Sequence, residues 1–139
     1  CNGRFRSRLS WADMEINQVT VVCTDYDASV SFYRKLGLTQ IVDSPPRYAR
    51  FETPHGSTLS IHAGEAGCTS TVIYFEVDDV DAKFAKLQNR GIEFDSEPVD
   101  QSWLWREAHL RDPAGNRLCI YHAGENRRFP PWRLADEGR

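Results

Sequence analysis

A short motif that occurs twice constrains the fold of this chain more than any other feature of its sequence. Residues 54–61 and 113–120 both read Pro-x-Gly-x-x-Leu-x-Ile, and the second copy begins 59 residues after the first. A Pro-x-Gly turn followed by apolar residues at alternate positions is typical of a hairpin that leads into a half-buried strand. Self-similarity at a long fixed spacing indicates a repeated structural unit. The sequence therefore predicts two similar halves.

A second repeated motif lies upstream of the first. Residues 25–28 (Asp-Tyr-Asp-Ala), followed by Gly37, match residues 79–82 (Asp-Val-Asp-Ala), followed by Gly91, and both pairs are 54 residues apart. An aspartate before an apolar-periodic segment and a glycine after it are signals for the start and the end of a helix. Strand-like alternation before and after each helix gives the order βαβββ in each half.

These patterns predict one structural domain made of two modules. The first βαβββ module is expected over residues 16–64 and the second over residues 70–123. Residues 1–15 are predicted to be an N-terminal extension, which lacks the apolar stretch of a signal peptide. Residues 124–139 contain paired prolines, which are incompatible with a central strand. We therefore expect a C-terminal arm there, pinned to the domain by its aromatic residues.

Length, charge and cysteine content exclude several classes of protein. The 139 residues have the length of one domain, and the net charge of −3 provides no basic surface for nucleic acid. No apolar run reaches the length that is needed to span a membrane. The four cysteines include no closely spaced pair, which favours reduced thiols in a cytoplasmic protein. We therefore expect neither a nucleic-acid nor a membrane partner.

The ordered set of motifs resembles the vicinal oxygen chelate superfamily, which includes glyoxalase I, bleomycin-resistance proteins and extradiol dioxygenases. The resemblance rests on the doubled βαβββ order, the helix ending at residues 32–37 and the turn at residues 112–116, and it covers residues 16–122. It implies an α+β fold in which two βαβββ modules form an incomplete eight-stranded barrel around a central cavity. It also implies a homodimer.

The resemblance also indicates where a metal site would lie. Metal-dependent members of the superfamily take ligands from the first and fourth strands of both modules. The matching positions in this chain are Gln18, Ser60, Val72 and Cys119. Divalent metals prefer imidazole, carboxylate or thiolate donors, usually three or more from the protein. Only the thiol belongs to that group, so we expect no metal at these positions and no cofactor.

We predict a metal-independent small-molecule binding protein of the glyoxalase/bleomycin-resistance type, whose ligand is polar or aromatic. Polar side chains on the concave face of the strands indicate water or a polar ligand inside the cavity. Trp103 and Trp105 would stack a planar ligand at the cavity mouth, with Arg47, Tyr48 or Arg106 in reach of an anionic group. The predicted ligand-binding residues are Gln18, Thr20, Ser60, Tyr74, Trp103, Trp105 and Cys119.

An enzyme of the same superfamily is the alternative to a binding protein. A metal-free lyase or isomerase would use His62 as general base, hydrogen-bonded to Tyr121 or Glu76, so these three residues are the candidate catalytic set. A metal-dependent member with a relocated site would use His62, Glu76 and Cys119, or His62 with His122. For His122 we favour a hydrogen bond at a strand end.

Two further pairs of residues have open interpretations. Glu107 and His109 alternate along a predicted strand, so they form either an acid–base pair or the solvated face of an edge strand, and we favour the solvated face. Trp103 and Trp105 either flank the cavity or pack against a dimer partner or the C-terminal arm.

Overall fold

The protein was analysed as a computed structural model that describes residues 14–65, 71–111, 113 and 115–135. It is a mixed α+β structure with one open eight-stranded sheet and two helices, which confirms the predicted class at that level. Neither of the helices in the described ranges is long and apolar enough to cross a membrane. In chain order the elements are β1 (Glu15–Cys23), α1 (Tyr26–Leu36), β2 (Thr39–Ser44), β3 (Tyr48–Glu52), β4 (Thr58–Ala63), β5 (Val72–Glu76), α2 (Val80–Asn89), β6 (Val99–Asp100), β7 (Arg106–Arg111) and β8 (Arg117–His122).

The strands lie side by side in the order β2-β3-β4-β1-β5-β8-β7-β6. β4 runs parallel to β1 and β8 runs parallel to β5, whereas β1 and β5 pair antiparallel in the middle of the sheet. Side chains that are directly opposite in register share one face of a sheet. One row on the same face is therefore His109, Cys119, Tyr74, Gln18 and Thr58.

Both helices begin and end at the residues that the sequence indicates. The Asp25 carboxylate accepts a hydrogen bond from Ala28 N–H at the start of α1, and Asp79 caps α2 in the same way through Ala82. Gly37 ends α1 with φ of 112°, a left-handed conformation that glycine adopts without a Cβ clash. The predicted helix signals are thus confirmed.

The helices cover one face of the sheet. Phe51 and Ile61 pack with Val30 of α1, and Ala108 and Ile120 pack with Val80 of α2. These apolar residues alternate along their strands with residues of the opposite face, which include Arg50 and Ser60. The fully buried polar side chains lie on the face that the helices leave open, namely Gln18, Arg50, Thr58, Ser60 and Glu107.

The segment before β6 differs from the prediction. Alternation predicts a strand over residues 92–98, but the structure has only an isolated bridge between Phe94 and Leu110 there. Asp95 N–H also donates to the carbonyl oxygen of His109 at 2.7 Å. A proline ends this segment and removes a backbone donor, which disfavours a continuous ladder.

The tryptophan-rich segment also differs from the prediction, which places Trp103 and Trp105 on a strand over residues 103–111. β7 begins one residue after the second tryptophan, and the preceding residues form a turn. In that turn Leu104 has φ of 73°, and its N–H donates to the Gln101 carbonyl oxygen at 3.0 Å. A turn does not keep the period of a strand, so Trp105 is 2% exposed and Trp103 is 38% exposed.

The C-terminal arm, described over residues 124–135, is held by ion pairs. It begins as a short 3₁₀ helix (Gly124–Asn126). Arg128 Nε and Arg133 Nη2 then lie 2.9 and 3.0 Å from the two carboxylate oxygens of Glu52 on β3. Burial works to raise the pKa of Glu52, but hydrogen bonds from the two arginines outweigh burial and lower this pKa below its usual value.

The aromatic residues of the arm are not its anchors. Phe129 is 52% exposed and Trp132 is 43% exposed, which corrects the expectation that they pin the arm. The guanidinium carbons of Arg128 and Arg133 lie 5.5 and 4.6 Å from the centre of the Phe129 ring, so this ring packs against the cations. The N-terminal extension up to residue 13 and the link at residues 66–70 lie outside the described residues.

Candidate functional site

A cavity of about 550 Å³ opens on the face that carries no helix. Its wall is rich in aromatic rings and in groups that can carry charge. The aromatic lining residues are Tyr48, Tyr74, Trp103, Trp105 and Trp132, and the ionisable ones are Arg50, His62, Glu107, His109 and Arg117. Clefts with apolar walls and a few converging polar groups are typical of small-molecule sites.

Four of the predicted ligand-binding residues line this cavity: Thr20, Tyr74, Trp103 and Trp105. The Tyr74 ring meets Trp105 edge-on, with 5.7 Å between ring centroids, and meets Tyr121 in the same manner at 5.1 Å. Burial, followed by the charge of Glu107, raises the pKa of Tyr74. The Tyr74 hydroxyl therefore stays protonated and is a neutral hydrogen-bonding group in the cavity wall.

Gln18 and Ser60 belong instead to a closed hydrogen-bond network beneath the cavity, which we call the Gln18 network. Gln18 Nε2 donates to Thr20 Oγ1 at 2.9 Å and to Ser60 Oγ at 3.1 Å. The Thr58 hydroxyl donates to Gln18 Oε1, and the Tyr48 and Ser60 hydroxyls lie 2.6 Å apart. Gln18 and Ser60 are buried at 1% and 0% exposure, and their polar atoms satisfy one another.

The positions that match the superfamily's metal ligands do not fit a divalent metal. Val72 offers no donor atom, and Gln18 and Ser60 are occupied by the hydrogen bonds just described. Burial, followed by the charge of Glu107, raises the pKa of the Cys119 thiol, so this thiol keeps its proton at neutral pH. The donor set at these four positions is therefore chemically unsuited to the metal.

Three potential ligand groups lie together elsewhere on the same face, on β7 and β8. Glu107, His109 and Cys119 each offer one ligating atom, and these atoms lie within 4.8 Å of one another. We call this set the Glu107 cluster. Glu107 is 2% exposed, so the interpretation of Glu107 and His109 as a solvated strand face is wrong.

The Glu107 carboxylate holds the His109 ring in one orientation. Its oxygens lie 2.8 Å from Trp103 Nε1 and 2.8 Å from His109 Nε2. Since a carboxylate only accepts hydrogen bonds, Nε2 carries the donated proton. His109 Nδ1 is enclosed and has no hydrogen-bond partner among the described residues. The cluster therefore retains an imidazole nitrogen whose bonding capacity the protein does not use.

The structure does not bring the predicted catalytic residues together. His62 is opposite Val22 near one end of β1, whereas Glu76 is opposite Glu15 at the other end and is also paired with Tyr121. Seven residues of strand separate these positions, roughly 23 Å. The expected hydrogen bond from His62 to Tyr121 or Glu76 is not formed, and a metal cannot bridge His62, Glu76 and Cys119.

Glu76 and Tyr121 form a group of hydrogen bonds that holds the base of the arm. Glu76 Oε2 accepts hydrogen bonds from the backbone N–H groups of Ala123 and Gly124 at 2.6 and 2.9 Å. Its other oxygen accepts from Asn17 Nδ2 at 2.8 Å, and the Tyr121 hydroxyl donates to Asn17 Oδ1. These contacts tie the arm to β1 and β5.

His62 and His122 have separate positions. His62 is exposed and lines the cavity, whereas His122 Nδ1 lies 2.9 Å from the carbonyl oxygen of Val77. The predicted strand-end hydrogen bond of His122 is therefore confirmed, and the alternative site that pairs these two histidines is not assembled.

Sequence reasoning missed Arg50, the largest fully buried side chain of the described residues. The signal was available, because Ala49 and Phe51 pack on the helix side and so direct Arg50 to the cavity side of β3. Arg106, which the sequence suggested as an anion-binding residue, is instead paired with Asp81 and Asp100 at 2.9 Å each.

Comparisons with known proteins agree with this fold. A sequence model of the Glyoxalase/Bleomycin resistance protein/Dioxygenase superfamily matches residues 15–120. The uncharacterized protein YraH of Bacillus subtilis (strain 168) is 29% identical over 126 residues, which cover 78% of this chain and 98% of that protein. These findings confirm the resemblance that the sequence motifs indicated.

Two solved structures, each 15% identical in sequence, share the fold. One is a hypothetical protein from Bacillus halodurans C-125, with a TM-score of 0.64 over 78% of this chain and 94% of that chain. The other is a glyoxalase/bleomycin resistance protein/dioxygenase superfamily member from Vibrio splendidus 12B01, with a TM-score of 0.60 over 78% of this chain and 98% of that chain. The chain described here belongs to the glyoxalase/bleomycin resistance protein/dioxygenase superfamily.

Proposed function

We propose that this protein binds a small polar or aromatic molecule in its cavity, and that binding needs no metal. The observation that carries the proposal is the cavity wall, which combines aromatic rings with polar groups around about 550 Å³. Trp103 and Trp132 are both about 40% exposed, so their rings are accessible to a ligand. Aromatic rings at a partly open cavity provide a large contact area for a planar molecule.

Metal independence is supported by the state of the four superfamily positions. Two of them are occupied in the Gln18 network, one is a valine and one is a protonated thiol. A ligand would therefore be held by aromatic contacts and hydrogen bonds in the manner of a binding protein of the bleomycin-resistance type.

The experiment is a thermal-shift screen on protein that has been treated with chelator. We expect aromatic and polar molecules to raise the melting temperature in a saturable manner and to quench tryptophan fluorescence. Trp103→Leu should weaken this binding, whereas Phe32→Leu, a change at an exposed helix residue outside the cavity, should not. A broad screen with no saturable ligand would contradict the proposal.

We also propose that the two halves are repeated βαβββ modules that close an incomplete barrel around the cavity, over residues 16–64 and 70–123. The repeated pairing supports this, because the order β1-β4-β3-β2 recurs as β5-β8-β7-β6. A homodimer in the cytoplasm is the corresponding proposal for the assembly, and light scattering should then give twice the chain mass of 15.9 kDa.

A metal-dependent enzyme with a relocated site is the second candidate, and the Glu107 cluster is the observation that favours it. One carboxylate, one imidazole and one thiol within 4.8 Å are a donor set that zinc accepts, with a fourth position left for water or substrate. Binding would require the Cys119 thiol to lose its proton.

Elemental analysis of protein purified without an affinity metal separates the two candidates. One bound metal ion per chain, lost in Cys119→Ser and retained in Cys23→Ser, would favour the second candidate. If zinc neither binds nor raises the melting temperature of the protein, the result would favour the metal-free binding protein. His62 stays a predicted general base, and unchanged turnover of an identified substrate by His62→Ala would remove that role.

A further inference from the structure

Arg50 is a buried cation for which none of the described residues provides an anion. Its side chain belongs to β3 and the residue is 1% exposed. Arginine is almost never fully buried unless it is paired, because an isolated buried charge is costly. Among residues 14–65, 71–111 and 115–135, no carboxylate forms an ion pair with its guanidinium group.

The contacts of Arg50 hold the guanidinium in place without neutralising it. Nε donates to the Tyr48 hydroxyl at 2.8 Å, and Nη1 donates to the carbonyl oxygens of Asn126 and Arg127 at 3.3 and 3.0 Å. The guanidinium carbon lies 4.6 Å from the centre of the Trp105 ring. All these partners are neutral, and they fix both the position and the plane of the group.

The remaining guanidinium nitrogen, Nη2, is not engaged by the described residues. It is also not one of the fully enclosed unpaired atoms of the described residues, which are His109 Nδ1 and Arg127 Nε. Arg50 is one of the residues that line the cavity, which leaves Nη2 as the guanidinium nitrogen available to a ligand there. Its N–H groups are donors that are oriented in advance and still free.

The acidic residue of the lining does not compensate Arg50. The carboxylate oxygens of Glu107 are engaged by Trp103 Nε1 and His109 Nε2, and no ion pair joins Glu107 to the guanidinium. A pre-oriented guanidinium group in a partly desolvated site binds carboxylates through charge-assisted hydrogen bonds. A carboxylate carries one negative charge and so balances the single positive charge of Arg50, whereas a phosphate group carries about −1.5 to −2 at neutral pH.

We infer that the ligand is an aromatic carboxylate, whose ring packs against the aromatic cavity wall and whose carboxylate binds Arg50. The inference rests on the proposed small-molecule binding function and narrows it to one chemical class. Trp105 contacts Arg50 and also lines the cavity, so the cation and an aromatic surface are adjacent. A molecule that carries both features would fill both halves of the site at once.

The test compares 2-naphthoate with its neutral amide, 2-naphthamide, on the full chain by tryptophan quenching and calorimetry. The two probes have nearly the same shape and differ in charge. We expect the acid to bind about tenfold or more tightly than the amide, the size of one charge-assisted hydrogen bond. Acetate, a carboxylate without an aromatic ring, should bind far more weakly than either aromatic probe.

Three variants complete the test. Arg50→Gln should abolish the preference for the acid while it retains the amide, and Arg111→Gln, a change at an exposed arginine outside the cavity, should leave the preference unchanged. If the glutamine variant fails to fold, Arg50→Lys, which keeps the charge, takes its place. It should show a reduced preference for the acid over the amide.

The outcomes separate this inference from the proposed function. If the amide binds as tightly as the acid, the anion site is wrong while small-molecule binding stands. If neither probe binds and the wider screen also finds no ligand, both proposals are wrong. If neither probe binds but the screen finds non-acidic ligands, only the anion site is overturned.

Discussion

Gln18 and Thr58 of the Gln18 network share one row across the sheet with His109 and Cys119 of the Glu107 cluster, on the two sides of Tyr74. Both consist of buried or half-buried side chains that sequence alternation directs to the same face. In the network each polar group bonds to another member, whereas His109 Nδ1 of the cluster has no partner in the part of the chain that the structure describes. Buried polar residues are costly unless they are bonded, so unused bonding capacity is the better marker of a functional site.

The same distinction applies to Glu76 and Arg50, two charged residues that both contact the arm. Glu76 accepts hydrogen bonds from Asn17 and from two backbone N–H groups, whereas Arg50, a cavity-lining residue, has one nitrogen that bonds to none of the described residues. Glu76 therefore has a structural role and Arg50 has unused binding capacity. Four variants test whether satisfied groups control stability and unsatisfied ones control binding.

The largest effect on stability is expected for Glu76→Ala. The change removes the acceptor of three hydrogen bonds and leaves the Arg127 guanidinium, 3.6 Å away, without its carboxylate. We expect a loss of about 3 kcal/mol in the free energy of unfolding, measured by urea denaturation. Glu93→Ala, a change at an exposed residue, should cost little. Lost turnover at unchanged stability would instead support the predicted catalytic role of Glu76.

The sequence predicts contacts between residues that are close along the chain better than contacts between distant residues. The helix caps Asp25 and Asp79 are local and were predicted correctly, because capping involves residues three positions apart. The inward face of the strands was also predicted, since it follows from alternation. The strand at residues 103–111 was predicted too long, because the tryptophans imitate a strand pattern within a turn.

Long-range contacts were beyond the sequence. Whether Gln18 meets Ser60 or a ligand depends on the register between β1 and β4, which no local pattern specifies. The separation of His62 from Glu76 has the same origin, because it depends on which ends of three strands coincide. The anchoring of the arm by Arg128 and Arg133 was missed because Glu52 is 76 residues away from the nearer of them.

The second largest effect is expected for Gln18→Leu. The substitution removes the amide that bonds to three hydroxyl groups, and a buried hydroxyl without a partner costs about 1–3 kcal/mol. We expect a loss of about 2 kcal/mol by urea denaturation and no change in the affinity of a ligand found by the screen. Gln88→Leu, on an exposed helix face, is the matched control. A large loss of affinity would place Gln18 in the binding site, as the sequence predicted.

A smaller, pH-dependent effect is expected for Glu52→Gln. The pKa of Glu52 is lowered in the folded protein, so its contribution is present above the unfolded-state pKa and is lost as the pH falls through the folded-state pKa. At neutral pH the variant should be less stable by about 1.5 kcal/mol, because charge-assisted bonds to two arginines are lost. Below about pH 4 the difference should shrink.

Urea denaturation at several pH values checks this prediction, with Glu97→Gln as an exposed control. A difference between variant and unchanged protein that stays constant from neutral to acid pH would mean that Glu52 acts by packing and not by charge. Since Trp132 lies on the same arm and lines the cavity, acid should also weaken ligand binding through loosening of the arm.

The smallest effect on stability is expected for His109→Gln, and it completes the comparison. A glutamine amide still donates to the Glu107 carboxylate, and the substitution removes an enclosed nitrogen that has no partner. The free energy of unfolding should therefore change by about 0.5 kcal/mol or less. Ligand affinity by calorimetry, or zinc binding if the second candidate holds, should fall severalfold. Gln18→Leu and His109→Gln would then have opposite effects. Gln18→Leu would lower stability without affecting binding, and His109→Gln would lower binding without affecting stability. Equal effects of both variants on stability and on binding would show that the two polar sets, joined through Tyr74, act as a single unit.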